Sequence, residues 1–168
     1  MKVYFITGTD TEIGKTYVTC LLCNYFKKKG FKVGAFKPVE SGVKFSKIPD
    51  YKKIAYASGD KEKSVYLLNE PLAPMIAAML DKVIIKEEEI LNFYFNDLKS
   101  NSYDYYFIEG AGGLMVPLND KLLYIDLIKK FNCEVILIAR TNLGTVNHTL
   151  LSIEALKKRN ISIFKIFS

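Results

Sequence analysis

The sequence predicts an α/β domain whose parallel sheet is covered by helices on both faces. Two observations carry this expectation. Apolar runs at residues 2–7, 31–36, 105–109, 135–139 and 161–167 alternate with segments of helical period, the pattern of βαβ units. The first run leads at once into a glycine-bracketed loop, Gly8-Thr9-Asp10-Thr11-Glu12-Ile13-Gly14-Lys15-Thr16, and then into an amphipathic stretch.

In chain order, residues 14–29 form the first helix, with Val18, Leu21, Leu22, Tyr25 and Phe26 expected on its core face and Gly30 closing it. The second strand follows. Residues 43–60 are polar and read as loop plus a short helix over residues 51–57, with Asp50 as its N-cap. Glu70-Pro71-Leu72-Ala73-Pro74 makes a stiff turn before a small apolar helix at residues 75–80, and an acidic-started helix covers residues 86–99. All of these read as scaffold. Helices at residues 121–131 and 145–158 separate the last three strands. No repeats, linkers or low-complexity segments interrupt the pattern, and 168 residues suit one domain.

Composition narrows the classes of function. Hydrophobic residues at 49% and charged residues at 25% are ordinary for a globular protein, and no apolar run approaches the length of a membrane span. The chain enters its first strand without a basic and apolar leader, so a cytoplasmic location is expected. A net charge of +6 raises nucleic acid as a partner, but the lysines are scattered or cluster at helix ends, and no basic stripe or nucleic-acid motif accompanies them. The positive balance also suits a polyanionic nucleotide. Cys20 and Cys23 form a C-x-x-C inside a helix with no second pair to complete a zinc site, so they and Cys133 read as reduced thiols. His148 is the sole histidine, which leaves little for histidine-based metal or triad chemistry.

Chemistry concentrates in four segments. The loop at residues 8–16 has the features of a phosphate cradle: glycines admit backbone N–H groups to an oxyanion, Lys15 reaches the outer phosphates, and the Thr16 hydroxyl suits a phosphate-bound Mg²⁺. Five residues separate Gly8 from Gly14, one more than in the common spacing. Lys37-Pro38-Val39-Glu40-Ser41-Gly42 sits past the C-terminal end of a strand, the edge at which open α/β sheets bind ligands, so Lys37 is a candidate there against the reading of an ordinary solvated lysine. Glu109 ends a central strand and is followed by Gly110-Ala111-Gly112-Gly113, small residues that permit close backbone approach. A carboxylate delivered there suits a metal ligand. The fourth segment is Asn142-Leu143-Gly144-Thr145-Val146-Asn147-His148, which opens a helix.

In this order and combination the four segments resemble the dethiobiotin synthetase family, a branch of the P-loop NTPase-like proteins. The resemblance covers the whole chain. It implies a homodimeric, ATP- and Mg²⁺-dependent ligase of biotin biosynthesis that joins 7,8-diaminopelargonic acid and CO₂ (or bicarbonate) into dethiobiotin, releasing ADP and phosphate. It further implies Lys37 and Lys15 as catalytic lysines. Nucleotide contacts would come from Glu12, Ile13, Gly14, Lys15, Thr16, Tyr17, Asp50, Glu109, Gly110, Ala111 and Gly112, and metal positions from Thr16, Asp50 and Glu109. Substrate contacts would come from Thr11, Lys37 and Ser41, with Thr145, Val146 and Asn147 receiving the substrate carboxylate from the partner subunit.

One departure stands out. Members of the family continue past the strand at residues 161–167 into an Asn-Asp and a segment that holds the base, whereas this sequence stops at Ser168. Two readings stay open: a shortened form, or recognition chiefly through the phosphates with other triphosphates accepted beside ATP. Two alternatives to the ligase are weighed as well. A cobyrinic acid amide synthase-like ligase would need a glutamine-hydrolysing domain for which 168 residues leave no space. A nucleotide-switched, partner-binding ATPase akin to plasmid-partition proteins would carry an additional Lys early in the loop, where Thr9-Asp10-Thr11 stands.

Overall fold

A computed structural model describes residues 1–168. Its elements run β1 (Lys2–Gly8), α1 (Lys15–Lys28), β2 (Val33–Phe36), β3 (Val39–Glu40), α2 (Asp50–Ser58), β4 (Tyr66–Leu67), α3 (Pro74–Leu80), α4 (Glu87–Ser100), β5 (Tyr105–Gly113), β6 (Pro117–Asn119), β7 (Leu122–Leu123), α5 (Tyr124–Phe131), β8 (Glu134–Ile138), α6 (Thr145–Lys158) and β9 (Ile163–Phe167). The five apolar runs all become strands of one sheet, in the order β2-β5-β1-β8-β9, with every pairing parallel. The near-continuous hydrophobicity of β1, β2, β5 and β8 reflects burial on both faces, whereas the edge strand β9 leaves Phe164, Ile166 and Phe167 exposed.

Two apolar layers flank that sheet. On one side Tyr4, Ile6, Val33, Ala35, Phe107 and Ile136 meet Cys23 of α1 and Ile54 and Ala57 of α2. On the other, Phe5, Phe36, Tyr106, Ile108, Val135 and Leu137 meet α3, α4, α5 and Leu156 of α6. The expectation of helices on both faces therefore holds. β1 is central, with β5 on one side and β8 on the other, so its C-terminal end opens at the point where the strand order reverses.

Several local expectations are corrected. On α1 the core-facing residues are Thr19 and Cys23 with Val18, Leu22 and Phe26, while Leu21 and Tyr25 face outward, about half exposed. Both sides of α1 carry apolar residues, so composition alone misplaces the face. β5 does not end at Glu109 but continues to Gly113, where Gly8 pairs with it. Residues 122–123 form β7, antiparallel to β6, and the helix expected from residue 121 starts at Tyr124. Asp50 is the first residue of α2 rather than its N-cap; Pro49 holds that position with no side-chain cap of its own.

One buried polar group steadies the back of the ligand edge. The fully buried Lys63 ammonium bonds Asp97 at 2.6 Å and the Tyr103 hydroxyl at 2.6 Å, and also reaches Asp60. Its main-chain carbonyl accepts the N–H of Lys37 at 3.1 Å, which fixes the backbone as it leaves β2.

Candidate active site

Strand register does most of the assembly. Phe36 pairs with Ile108, so the next residues, Lys37 and Glu109, lie side by side. Alternation then turns both side chains toward the face already holding Ala35 and Phe107, which is the face of α1 and α2. There the Lys37 ammonium sits 2.8 Å from Glu109 Oε1 and 2.8 Å from Asp50 Oδ2. Thr16 donates to Glu109 Oε1 at 2.7 Å, and Thr19 lies 2.7 Å from Glu109 Oε2. Glu109 is fully buried and Lys37 is 5% exposed, so the solvated reading of Lys37 is excluded.

Charge balance in this cluster explains the ionisation of its members. Burial alone would push the Lys37 ammonium down, but Glu109 and Asp50, with Glu40 behind them, more than reverse this and raise it. Lys37 is therefore a fixed cation. Burial likewise acts to raise Asp50, yet Lys37 overrides it and, helped by Lys53, holds the carboxyl down at about 2. Lys15 differs. It is also buried, it bonds only the Asp10 carbonyl at 2.8 Å, and no carboxylate lies within ion-pair distance. Burial lowers its pKa, with Glu109 partly offsetting the shift and Lys37 adding to it. A buried ammonium with no carboxylate partner is costly unless an anion meets it.

The loop that carries Lys15 is shaped for such an anion. Glu12 and Gly14 adopt left-handed conformations, φ 55° and 94°, the alternation that makes an anion-binding nest of backbone N–H groups at the start of α1. Gly8 keeps the loop tight, since a Cβ there would fall 2.5 Å from Ile13 Cδ1 and 3.0 Å from Asp10 O, so Ile13 and the Asp10 backbone would have to shift.

A cleft of about 630 Å³ runs over this floor, walled by Thr11, Glu12, Ile13, Gly14, Lys15, Thr16 and Tyr17, by Lys37, Glu40, Ser41 and Asp50, and by Glu109, Ala111, Gly112 and Val116. Pro71, Leu72, Ala73 and Pro74 close it, so the turn expected to be scaffold lines the site. Ser41 Oγ is buried without a hydrogen-bond partner. Gly110 stands apart from the cleft, against the Phe5 ring. Thr145, Val146 and Asn147 are also outside it: they open α6 on the surface, where the Thr145 hydroxyl donates to the Arg140 carbonyl. Two residues that sequence reasoning missed, Thr19 and Glu40, belong to the cluster. Thr19 stands one turn after Lys15, a spacing that could have flagged it. Glu40 accepts the N–H groups of Asp50 and Tyr51 at 2.6 and 2.8 Å, which no local pattern signals.

Comparison with known proteins decides the family. A family model described as an AAA domain matches residues 2–167. The chain is 40% identical to the ATP-dependent dethiobiotin synthetase BioD of Thermodesulfovibrio yellowstonii, over 95% of this chain and 72% of that protein. It is also 40% identical to the protein of that name in Methanococcus vannielii, covering 95% and 74%. The chain belongs to the ATP-dependent dethiobiotin synthetase family. That membership places it among ATP-binding P-loop ligases. The fold of this chain is shared more widely: the BceF tyrosine kinase domain superposes with a TM-score of 0.61 at 14% identity, covering 99% of this chain and 67% of that one. The MinC:MinD complex of Aquifex aeolicus gives 0.59 at 13%, with the same coverage. No helix of this member is long and apolar enough to cross a membrane.

Proposed function

We propose that the protein makes dethiobiotin from 7,8-diaminopelargonic acid, CO₂ and ATP, with the catalytic work done on the floor of the 630 Å³ cleft. The observation that carries this is the fixed cation Lys37, held between two carboxylates next to the phosphate loop. In the reaction, one substrate amine adds to CO₂ and loses a proton, giving a carbamate. A carbamate oxygen attacks the γ-phosphorus, ADP leaves, and a carbamic-phosphoric anhydride forms. The second amine then attacks the carbonyl carbon and gives up a proton, the ureido ring closes, and phosphate departs with the electron pair of the broken C–O bond.

Each residue has a matching task. Backbone N–H groups at Glu12–Gly14 and the Lys15 ammonium hold the triphosphate, with Thr16 and Tyr17 at the entry to α1 and Ala111 and Gly112 opposite. Lys37 stays protonated, so it serves as positive charge where two anions approach rather than as a base. The Thr16 hydroxyl and the Asp50 and Glu109 carboxylates form an all-oxygen donor set, which fits Mg²⁺. When bound there, Mg²⁺ would supply charge neutralisation at the phosphates. Thr11 and the partnerless Ser41 hydroxyl face the space left for the substrate's nitrogen end.

The substrate carboxylate is assigned to Thr145, Val146 and Asn147 of a partner subunit in a homodimer. Free N–H groups at the start of α6 suit an anion. The exposed row Leu143, Val146, Leu150 and Leu151 beside them supports an interface on this helix. The direct test supplies purified protein with 7,8-diaminopelargonic acid, bicarbonate, Mg²⁺ and ATP and measures dethiobiotin by mass spectrometry. Product is expected in step with ADP, and ADP release without dethiobiotin would reject the ligase reading.

A further inference from the structure

We propose that Glu40 is a positioning residue: it anchors the main chain of Asp50 so that the Asp50 carboxylate is presented to the divalent cation of the nucleotide. The inference rests on the assignment of Asp50 to the metal set. α2 begins without a side-chain cap, because Pro49 occupies the N-cap position. Its first two N–H groups would be orphans. Glu40, ten residues earlier on β3, accepts both, at 2.6 Å from Asp50 N and 2.8 Å from Tyr51 N, and it is 4% exposed. A carboxylate at that end of a helix is also favoured by the helix dipole.

The consequence lies in where Glu40 sits in the chain. Lys37, three residues earlier, bonds the Asp50 carboxylate at 2.8 Å, while Glu40 bonds the Asp50 amide. One short segment therefore grips a single aspartate at both its side chain and its main chain, and Lys53 bonds the remaining carboxylate oxygen at 2.8 Å. Charge on Lys37 alone would attract the Asp50 carboxylate without fixing its direction. The pair of N–H bonds sets the helix start, and the helix start sets the carboxylate. Groups that orient a ligating carboxylate in this way are worth about 10–100-fold in metal affinity.

The test is a double-mutant cycle on nucleotide binding. Calorimetry measures the ATP dissociation constant with Mg²⁺ and with EDTA for the natural protein, Glu40→Ala, Asp50→Ala and the double variant. Glu40→Ala should reduce the Mg²⁺-dependent gain in affinity by about tenfold, leave the EDTA value within about twofold, and add nothing further in the Asp50→Ala background. Glu40→Gln keeps the volume and one acceptor, so it supplies a milder variant that should shift the Mg²⁺-dependent gain in the same direction. Amide exchange at Asp50 and Tyr51 should speed up in both Glu40 variants. Equal losses with Mg²⁺ and with EDTA, an additive cycle, or an Asp50→Ala protein with an unchanged Mg²⁺ response would overturn the proposal. Because the readout is nucleotide binding, failure to form dethiobiotin would sink the ligase reading and leave this cycle standing.

Discussion

The Lys37 ammonium lies 2.8 Å from Glu109 Oε1, with the carboxylate fully buried and the lysine nearly so. Neither charge is tolerable there without the other. Replacing Lys37 by Gln should therefore act twice: turnover falls about 10²–10³-fold as the charge at phosphoryl transfer is lost, and stability falls by about 3 kcal/mol as Glu109 loses a partner. Nucleotide affinity should change far less than turnover, whereas Lys15→Ala should damage both. Steady-state kinetics, calorimetry and chemical denaturation on the two variants check this. Near-normal turnover in Lys37→Gln would remove Lys37 from the mechanism.

Thr19 is the second support of Glu109, 2.7 Å from Oε2. Thr19→Val preserves shape but leaves a buried carboxylate oxygen short of a donor, at a cost of about 1–3 kcal/mol. Denaturant midpoints should shift accordingly. An unshifted midpoint would mean that the hydroxyl is spent on the Lys15 carbonyl, 2.9 Å away, instead.

The sequence made the sheet plain and the cluster only half so. The strands write themselves as continuous apolar runs, buried in the middle of the sheet and exposed only at the β9 edge, and the phosphate loop is a local motif, so the order of elements, Lys15, Thr16, Lys37 and Glu109 could be read directly. Glu40 could not, because the groups it satisfies lie ten and eleven residues on, across a helix start that exists only in the fold. The outward turn of Leu21 and Tyr25 was equally hidden: the rotation of α1 is fixed by Lys15, Thr16 and Thr19 facing the cluster, a tertiary constraint that outranks hydrophobic count.

Acid should dismantle the Lys37–Asp50 link in a defined window. The Asp50 carboxyl is more acidic folded, at about 2, than in an unfolded chain, near 3.8, so the stability it contributes is complete above roughly pH 4 and disappears as pH falls toward 2. The stability difference between the natural protein and Asp50→Asn should accordingly be constant at neutral pH and shrink below pH 4. A difference that changes between pH 7 and pH 4 instead of below pH 4 would show that the Asp50 carboxyl is not held down.

A shared site can be tested by mixing. Lys37→Ala chains keep the start of α6 intact, and chains carrying Thr145→Pro with Asn147→Asp keep Lys37, so in the proposed homodimer a mixed pair would have one complete site. The added Asp repels the substrate carboxylate without touching the nucleotide site. Activity should reappear when subunits exchange. If exchange is demonstrated by mass spectrometry and the mixture of folded chains stays inactive, the carboxylate is held within one subunit.

Transfer of oxygen tests the central claim most directly. In the proposed reaction the carbamate oxygen that attacks the γ-phosphorus comes from CO₂ and leaves with phosphate when the ring closes. Turnover with ¹⁸O-labelled CO₂ and unlabelled ATP, followed by ³¹P NMR, should place one ¹⁸O in each phosphate released, with one dethiobiotin formed per phosphate. Unlabelled phosphate accompanying dethiobiotin would contradict a carbamic-phosphoric anhydride, and with it the role of the fixed Lys37 charge in bringing carbamate and γ-phosphate together.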